Sequence, residues 1–121
     1  MKKLLLTALL LLPLPAVADH LDVLEIKLID GCTFPQFMEI VADFNKWGET
    51  VGYNAEIAFP LQSNNLTSLY WLGRSDNAAA YGNAWDTWRD ALADPSSDPS
   101  ELWARFQTCS ENISRRGYDL Y

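Results

Sequence analysis

The stretch LDVLEIKLIDGCTFPQFMEIVADFNKW, residues 21–47, decides the fold. Its first part alternates, with Leu24, Ile26 and Leu28 to one side and Val23, Glu25 and Lys27 to the other. That is the pattern of a strand with one face on a core. Asp30-Gly31 ends it. Thr33 and Gln36 stand three apart as a capping box, with Pro35 in the first turn of the helix that follows. Phe37, Ile40, Val41, Phe44 and Trp47 then recur at helical spacing and form a broad apolar stripe to about Gly48 or Gly52.

Toward the C-terminus, residues 53–61 read as a second strand, with Tyr53, Ala55, Ile57 and Phe59 on one face and Pro60 marking its end or an exposed edge. A turn-rich segment from Gln62 to Asn65 leads into a third strand over 68–74, which predicts a hairpin. Ser75-Asp76-Asn77 supplies cap side chains for a helix from about Ala78 to Ala93, with Tyr81, Trp85, Trp88 and Leu92 as its buried stripe. After a polar break, Asp98 is expected to cap a further helix, with Pro99 at its first position. Leu102, Phe106 and Cys109 share the inner face of that helix. Residues 113–121 form the last strand and carry Arg115 and Arg116. The order β-α-β-β-α-(α)-β predicts an α+β, ferredoxin-like domain: a four-stranded antiparallel sheet with its helices on one face.

Toward the N-terminus the sequence gives an address. Lys2 and Lys3 precede an apolar run from Leu4 to Leu14, too short to span a bilayer, and Ala16-Val17-Ala18 is a small-x-small cleavage site. Residues 1–18 are therefore expected to be a signal peptide, and 19–121 a single exported domain, periplasmic or secreted. An uncleaved anchor is the alternative that the short run disfavours. No cysteine follows the site to carry a lipid. Loss of Lys2 and Lys3 takes the formal charge from −7 to −9. Nucleic acid is thereby disfavoured as a partner, because phosphate binding needs clustered Lys and Arg. No segment after the leader is apolar over a length that crosses a membrane.

Cys32 and Cys109 are the only cysteines. In an oxidising compartment an isolated pair is most simply a disulfide. The topology supports it, because Cys32 opens the first helix and Cys109 closes the last at the same end of the sheet. A reactive thiol or a metal site is the alternative, against which stand the absent CxxC spacing and the single histidine. That histidine, His20, would lie beside the new N-terminus. There the free amine and imidazole form a weak candidate site for copper; an untethered surface histidine is the simpler reading.

Helices on one face leave the other face of the sheet bare, and Val23, Glu25 and Lys27 on it are neither core-like nor wholly solvent-like. A second protomer laid on that face would make a homodimer with a barrel between the sheets. With residues 21–47, the hairpin from Asn54-Ala55-Glu56-Ile57 to Ser68-Leu69-Tyr70-Trp71 and the segment 84–95, AWDTWRDALADP, the chain resembles the dimeric α+β barrel superfamily. That group includes antibiotic-biosynthesis monooxygenase-like and NIPSNAP-like domains. The resemblance implies binding of small planar or hydrophobic molecules between sheet and helices or in the barrel. It also implies, in some members, cofactor-independent oxidation of phenols. The haem-degrading branch needs a histidine ligand that this chain does not offer at a matching place, although Trp71 lies where that branch has a tryptophan.

The candidate ligand-binding residues are Glu25, Lys27, Tyr70, Trp71 and Arg74. Arg offers a planar fork and Tyr a polar tip to an anionic or phenolic ligand, and Glu25 with Lys27 would form a base and its electrostatic partner. Each has a plainer reading as core (Trp71), sheet surface (Tyr70, Arg74) or interface charge pair (Glu25, Lys27). No Ser/His/Asp set, Gly-rich phosphate loop or zinc pattern is present, so no cofactor is expected. The functional expectations are three: a small-molecule-binding protein, a monooxygenase-like enzyme on a phenolic or hydrophobic substrate, or a protein-interaction module without chemistry.

Overall fold

The computed structural model describes residues 17–121, so the leader reading falls outside the described residues except at its last two positions. Strand β1 spans Asp19–Leu28, helix α1 Phe34–Glu49, β2 Asn54–Ala58, β3 Leu69–Ser75, α2 Ala78–Ala91, α3 Asp98–Cys109 and β4 Ser110–Leu120. The four strands form one antiparallel sheet in the order β2-β3-β1-β4, the expected ferredoxin-like arrangement. No helix among the described residues is long and apolar enough to cross a membrane.

Burial along β1 alternates as its sequence predicts. Asp22, Leu24 and Ile26 are buried beneath the helices, while Val23 and Glu25 are half-buried and Lys27 is exposed. Helix α1 begins at the expected capping box: Thr33 accepts from the Gln36 backbone, and Gln36 returns the bond to Thr33. Its stripe of Phe37, Ile40, Val41 and Phe44 is buried against the sheet. Burying each such side chain contributes about 1.5–3 kcal/mol. Helix α1 also guards the edge strand β2. Asn45 donates to the Ala55 carbonyl and accepts from the Ala55 amide, both at 2.8 Å, so that backbone position is closed to a further strand. Asp43 on α1 pairs with Arg105 on α3 at 2.9 Å.

Four local expectations change. The stripe of α2 turns toward Ala84 and Trp88, while Trp85 is 37% exposed; small Ala84 lets the helix approach the sheet where a tryptophan would hold it off. Ser97, rather than Asp98, caps α3 by accepting from the Ser100 amide. Strand β2 stops at Ala58, leaving Phe59 55% exposed. Finally, β4 starts at Ser110, directly after α3, and its long pairing with β1 contains a bulge.

The cysteines form the predicted disulfide, Cys32–Cys109, with Cα atoms 5.1 Å apart and 77 residues between them in sequence. It ties the entry of α1 to the exit of α3, beside the bond from the Ile29 amide to the Cys109 carbonyl. In the chain-entropy model a loop of that size confers about 4 kcal/mol. Urea unfolding with and without reductant should show that loss; an unchanged midpoint would mean that the crosslink constrains nothing.

Candidate functional site

Between the sheet and the helices lies a cavity of about 150 Å³. Its walls are aromatic: Phe44 and Trp47 from α1, Trp71 from β3, Trp88 from α2 and Phe106 from α3. The rings meet edge to face. Phe44 stands 4.8 Å from Trp71 and 5.5 Å from Trp88, and Trp47 stands 5.0 Å from Trp88. Leu24 and Ile26 of β1 make the floor, and Ala84 lies in the wall on α2. The exposed members of the lining, Trp85, Trp103, Asn112 and Arg115, mark the open side, where α2, α3 and β4 meet.

One end of this apolar space is polar. Asp22, only 2% exposed, sits two residues before Leu24 on the helix-covered face of β1. Burying a charge there is costly unless it is paired and hydrogen-bonded. Arg115 donates through Nε and Nη2 to its two carboxylate oxygens at 2.8 and 2.6 Å. The Tyr53 hydroxyl donates to Asp22 Oδ2 at 2.9 Å and accepts from Trp71 Nε1 at 2.7 Å. Both Asp22 oxygens, the Tyr53 hydroxyl and the Trp71 indole nitrogen thus have partners, and the set joins β1, β3, β4 and the segment leading into β2. The Arg115 guanidinium lies 4.4 Å from the Trp85 ring centroid and 5.9 Å from that of Tyr81.

Two glycines make room for Tyr53. A Cβ on Gly73, opposite Asp22 across the β1–β3 ladder, would fall 1.7 Å from the Tyr53 hydroxyl oxygen. A Cβ on Gly48 would fall 2.3 Å from the Tyr53 carbonyl oxygen. Gly52, at φ 72°, reverses the chain after α1 so that the Tyr53 amide can donate back to the Gly48 carbonyl. Burial, reinforced by the Asp22 charge, pushes the Tyr53 phenol far above its ordinary value, so it remains a neutral donor. For Arg115, burial disfavours the charge, but the bond to Asp22 and its charge outweigh that and hold the proton more tightly than usual.

The sheet divides the sequence candidates. Trp71 lines the cavity and belongs to the polar set. Glu25, Lys27, Tyr70 and Arg74 lie on the opposite, helix-free face, Glu25 being paired with Tyr70 across the β1–β3 ladder. There Glu25 accepts from Ser68 at 2.8 Å and from Ser114 at 3.3 Å. Arg74 makes an exposed ion pair with Glu56 at 3.6 Å. His20 lies within β1 rather than ahead of it. Its Nδ1 is 3.2 Å from Asp119, and its ring centroid is 4.6 Å from that of Tyr81. Among the described residues no three His, Cys, Asp or Glu side chains gather as a metal site.

Asp22, Tyr53 and Arg115 escaped the sequence reading. For Asp22 a signal existed, since it shares parity with Leu24, Ile26 and Leu28. Replacing Tyr53 with Phe should cost about 1–3 kcal/mol near neutral pH, because Asp22 loses a donor and Trp71 its acceptor. It should also flatten the alkaline limb. Above the ordinary tyrosine value of 10.0 the unfolded chain releases a proton that folded Tyr53 keeps, so rising pH favours unfolding. The wild type should therefore lose up to about 1.4 kcal/mol more per pH unit than Tyr53→Phe in that range. Parallel limbs in pH-dependent urea titrations would contradict the assignment.

No protein-family model matches the chain, and no curated protein matches its sequence. Solved structures do match. SnoaB, a cofactor-independent oxygenase from Streptomyces nogalater, superposes with a TM-score of 0.56 at 8% identity, over 84% of this chain and 92% of that one. A hydroxynitrile lyase from Passiflora edulis gives 0.56 at 12% identity, over 86% and 94%. A dimeric ferredoxin-like protein of unknown function from Thermobifida fusca gives 0.50 at 9% identity, over 87% and 92%. At such identities the likeness speaks to the fold. The chain has the ferredoxin-like fold that these structures share.

Proposed function

We propose that the chain is an exported small-molecule-binding protein whose ligand is a single aromatic ring, held in the cavity between the sheet and the helices. The observation that carries this reading is the cavity itself: nine aromatic side chains around about 150 Å³ of space. An apolar cavity of that size holds one benzene-sized molecule, whereas drug-sized ligands need about 300–1,000 Å³. Size therefore argues for one ring and against a polycyclic ligand.

Binding is favoured over catalysis because the polar groups beside the cavity are committed to one another. Asp22 accepts from Arg115 and Tyr53, and the Tyr53 hydroxyl is engaged as both donor and acceptor. A general base must come within hydrogen-bond reach of the proton it takes, and Asp22, 2% exposed, is closed in by its three donors. The oxygenase and lyase activities named for the structural neighbours belong to those proteins.

The protein acts as a homodimer closed through the helix-free face. Support comes from that face, where Leu21, Val23, Tyr70 and Leu72 are half-buried in the isolated chain, and from the dimeric Thermobifida fusca protein of the same fold. Partly buried apolar side chains in the centre of a sheet face mark a surface that gains from a partner.

Titrating the mature protein with toluene, followed by tryptophan fluorescence, should give saturable binding at one site per protomer. Ala84 is 4% exposed and lines the cavity. Ala84→Leu should fill the space and weaken toluene binding at least tenfold while the fold persists. Equal binding by wild type and variant would remove the cavity from the function. In analytical ultracentrifugation the wild type should sediment as a dimer and Leu72→Arg as a monomer; a wild-type monomer would end the dimer reading.

A further inference from the structure

The cavity has one donor edge that the fold does not use. Arg115 meets Asp22 through Nε and Nη2, and among the described residues Nη1 makes no hydrogen bond. A guanidinium has five N–H groups, of which this pairing consumes two. The edge formed by Nη1 and the second N–H of Nη2 is left over. Arg115 lines the cavity at its open side, and its side chain remains 36% exposed.

The group is also fixed in place. Two bonds to Asp22 set the guanidinium plane, and Trp85 lies 4.4 Å from it. A ligand that meets this edge does not have to freeze a free arginine, so it avoids that ordering cost.

We propose that the natural ligand is a monocyclic aromatic carboxylate, with its ring among Phe44, Trp71 and Trp88 and its carboxylate on the free edge of Arg115. The proposal rests on the single-ring reading of the cavity and adds the ligand's head group. Two parallel N–H groups match the two oxygens of a carboxylate, whereas a phenol or an amide offers one acceptor oxygen. Charge-assisted bonds of this kind are roughly twice as strong as neutral ones. Asp22 already balances the Arg115 charge, which argues for an uncharged head group. The opposing consideration is solvent access: the partly exposed guanidinium leaves the second carboxylate wet on its outer side, where its charge is screened. Asn112, on the same strand and in the same lining, adds a further polar side chain at the open side.

The bulge in β4 creates this arrangement. Ile26 pairs with Asn112 and Leu24 with Arg115, so two residues an odd number apart reach the same face of the sheet. Were Ile113 paired in the ladder instead of bulged, strict alternation would send one of the two to the helix-free face.

The test is calorimetry of the mature protein with benzoate, benzamide and toluene, which keep the ring and vary the head group. Benzoate should bind at least tenfold more tightly than benzamide or toluene, and Ala84→Leu should abolish that binding. In the double variant Asp22→Asn, Arg115→Gln the ratio of benzoate to toluene affinity should fall at least tenfold. The pair is changed together because Arg115→Gln alone would strand a buried carboxylate. If the double variant does not fold, the wild-type series decides. Toluene bound as tightly as benzoate overturns the carboxylate and leaves the cavity reading standing. Benzoate binding that survives Ala84→Leu places the anion elsewhere and overturns the proposal. Neither toluene nor benzoate bound overturns the cavity reading, and the proposal with it.

Discussion

Asp22 is a carboxylate on the covered face of a central strand, and the shape of the site follows from how it is satisfied. It is 2% exposed, so its two oxygens must find donors within the protein. Arg115 comes from one neighbouring strand. Tyr53 reaches across from the end of α1, and its hydroxyl in turn accepts from Trp71 on the other neighbouring strand. Each partner brings an aromatic or aliphatic body that becomes cavity wall. The polar set therefore both closes one end of the cavity and fixes the spacing of its walls. Removing one member would leave another stranded, which is more costly than never having made the bond.

The same economy sets the limits on function. A cavity walled by aromatic rings packed against one another is stiff, since close-packed interiors do not expand without loss of contact. Its volume then becomes a statement about ligand size. The groups with chemistry in them are pinned by each other, and Tyr53 keeps its proton far into the alkaline range. What such a site does well is to hold a flat molecule in one orientation. Across the sheet a second polar arrangement, Glu25 with Ser68 and Ser114, stiffens the helix-free face at its centre. The fold therefore separates a helix-covered face that holds the cavity from a helix-free face, with β1 contributing alternate residues to each.

Most of the architecture was legible because it is written in local patterns. Alternation in β1, the Thr33–Gln36 box, the stripe on α1 and the placement of the two cysteines each follow from spacing alone. The site was less legible. The charges that alternation singles out lie on the face opposite Leu24, whereas the buried carboxylate lies on the same face, at Asp22. A polar residue at a core position contradicts the simple pattern, and such contradictions are where functional sites are expected. Arg115 was out of reach for a different reason. Its face depends on the bulge opposite Glu25 and Ile26, and no feature of residues 110–120 announces where alternation breaks. The long reach of Tyr53 was equally hidden, because it needs Gly73 across the sheet, a partner set by the register between strands distant in sequence. The turn of α2 toward Ala84 shows the complementary lesson. Close packing can favour the small residue over the tryptophan beside it.

The central claim is that an aromatic-walled, one-ring cavity lies between the helices and the sheet. A crystal of the protein pressurised with xenon tests it most directly, because xenon enters empty apolar cavities of this size and scatters strongly. The account predicts one xenon atom per protomer between Phe44, Trp71 and Trp88. Xenon found only between two sheets, or a cavity filled with ordered water, would contradict it.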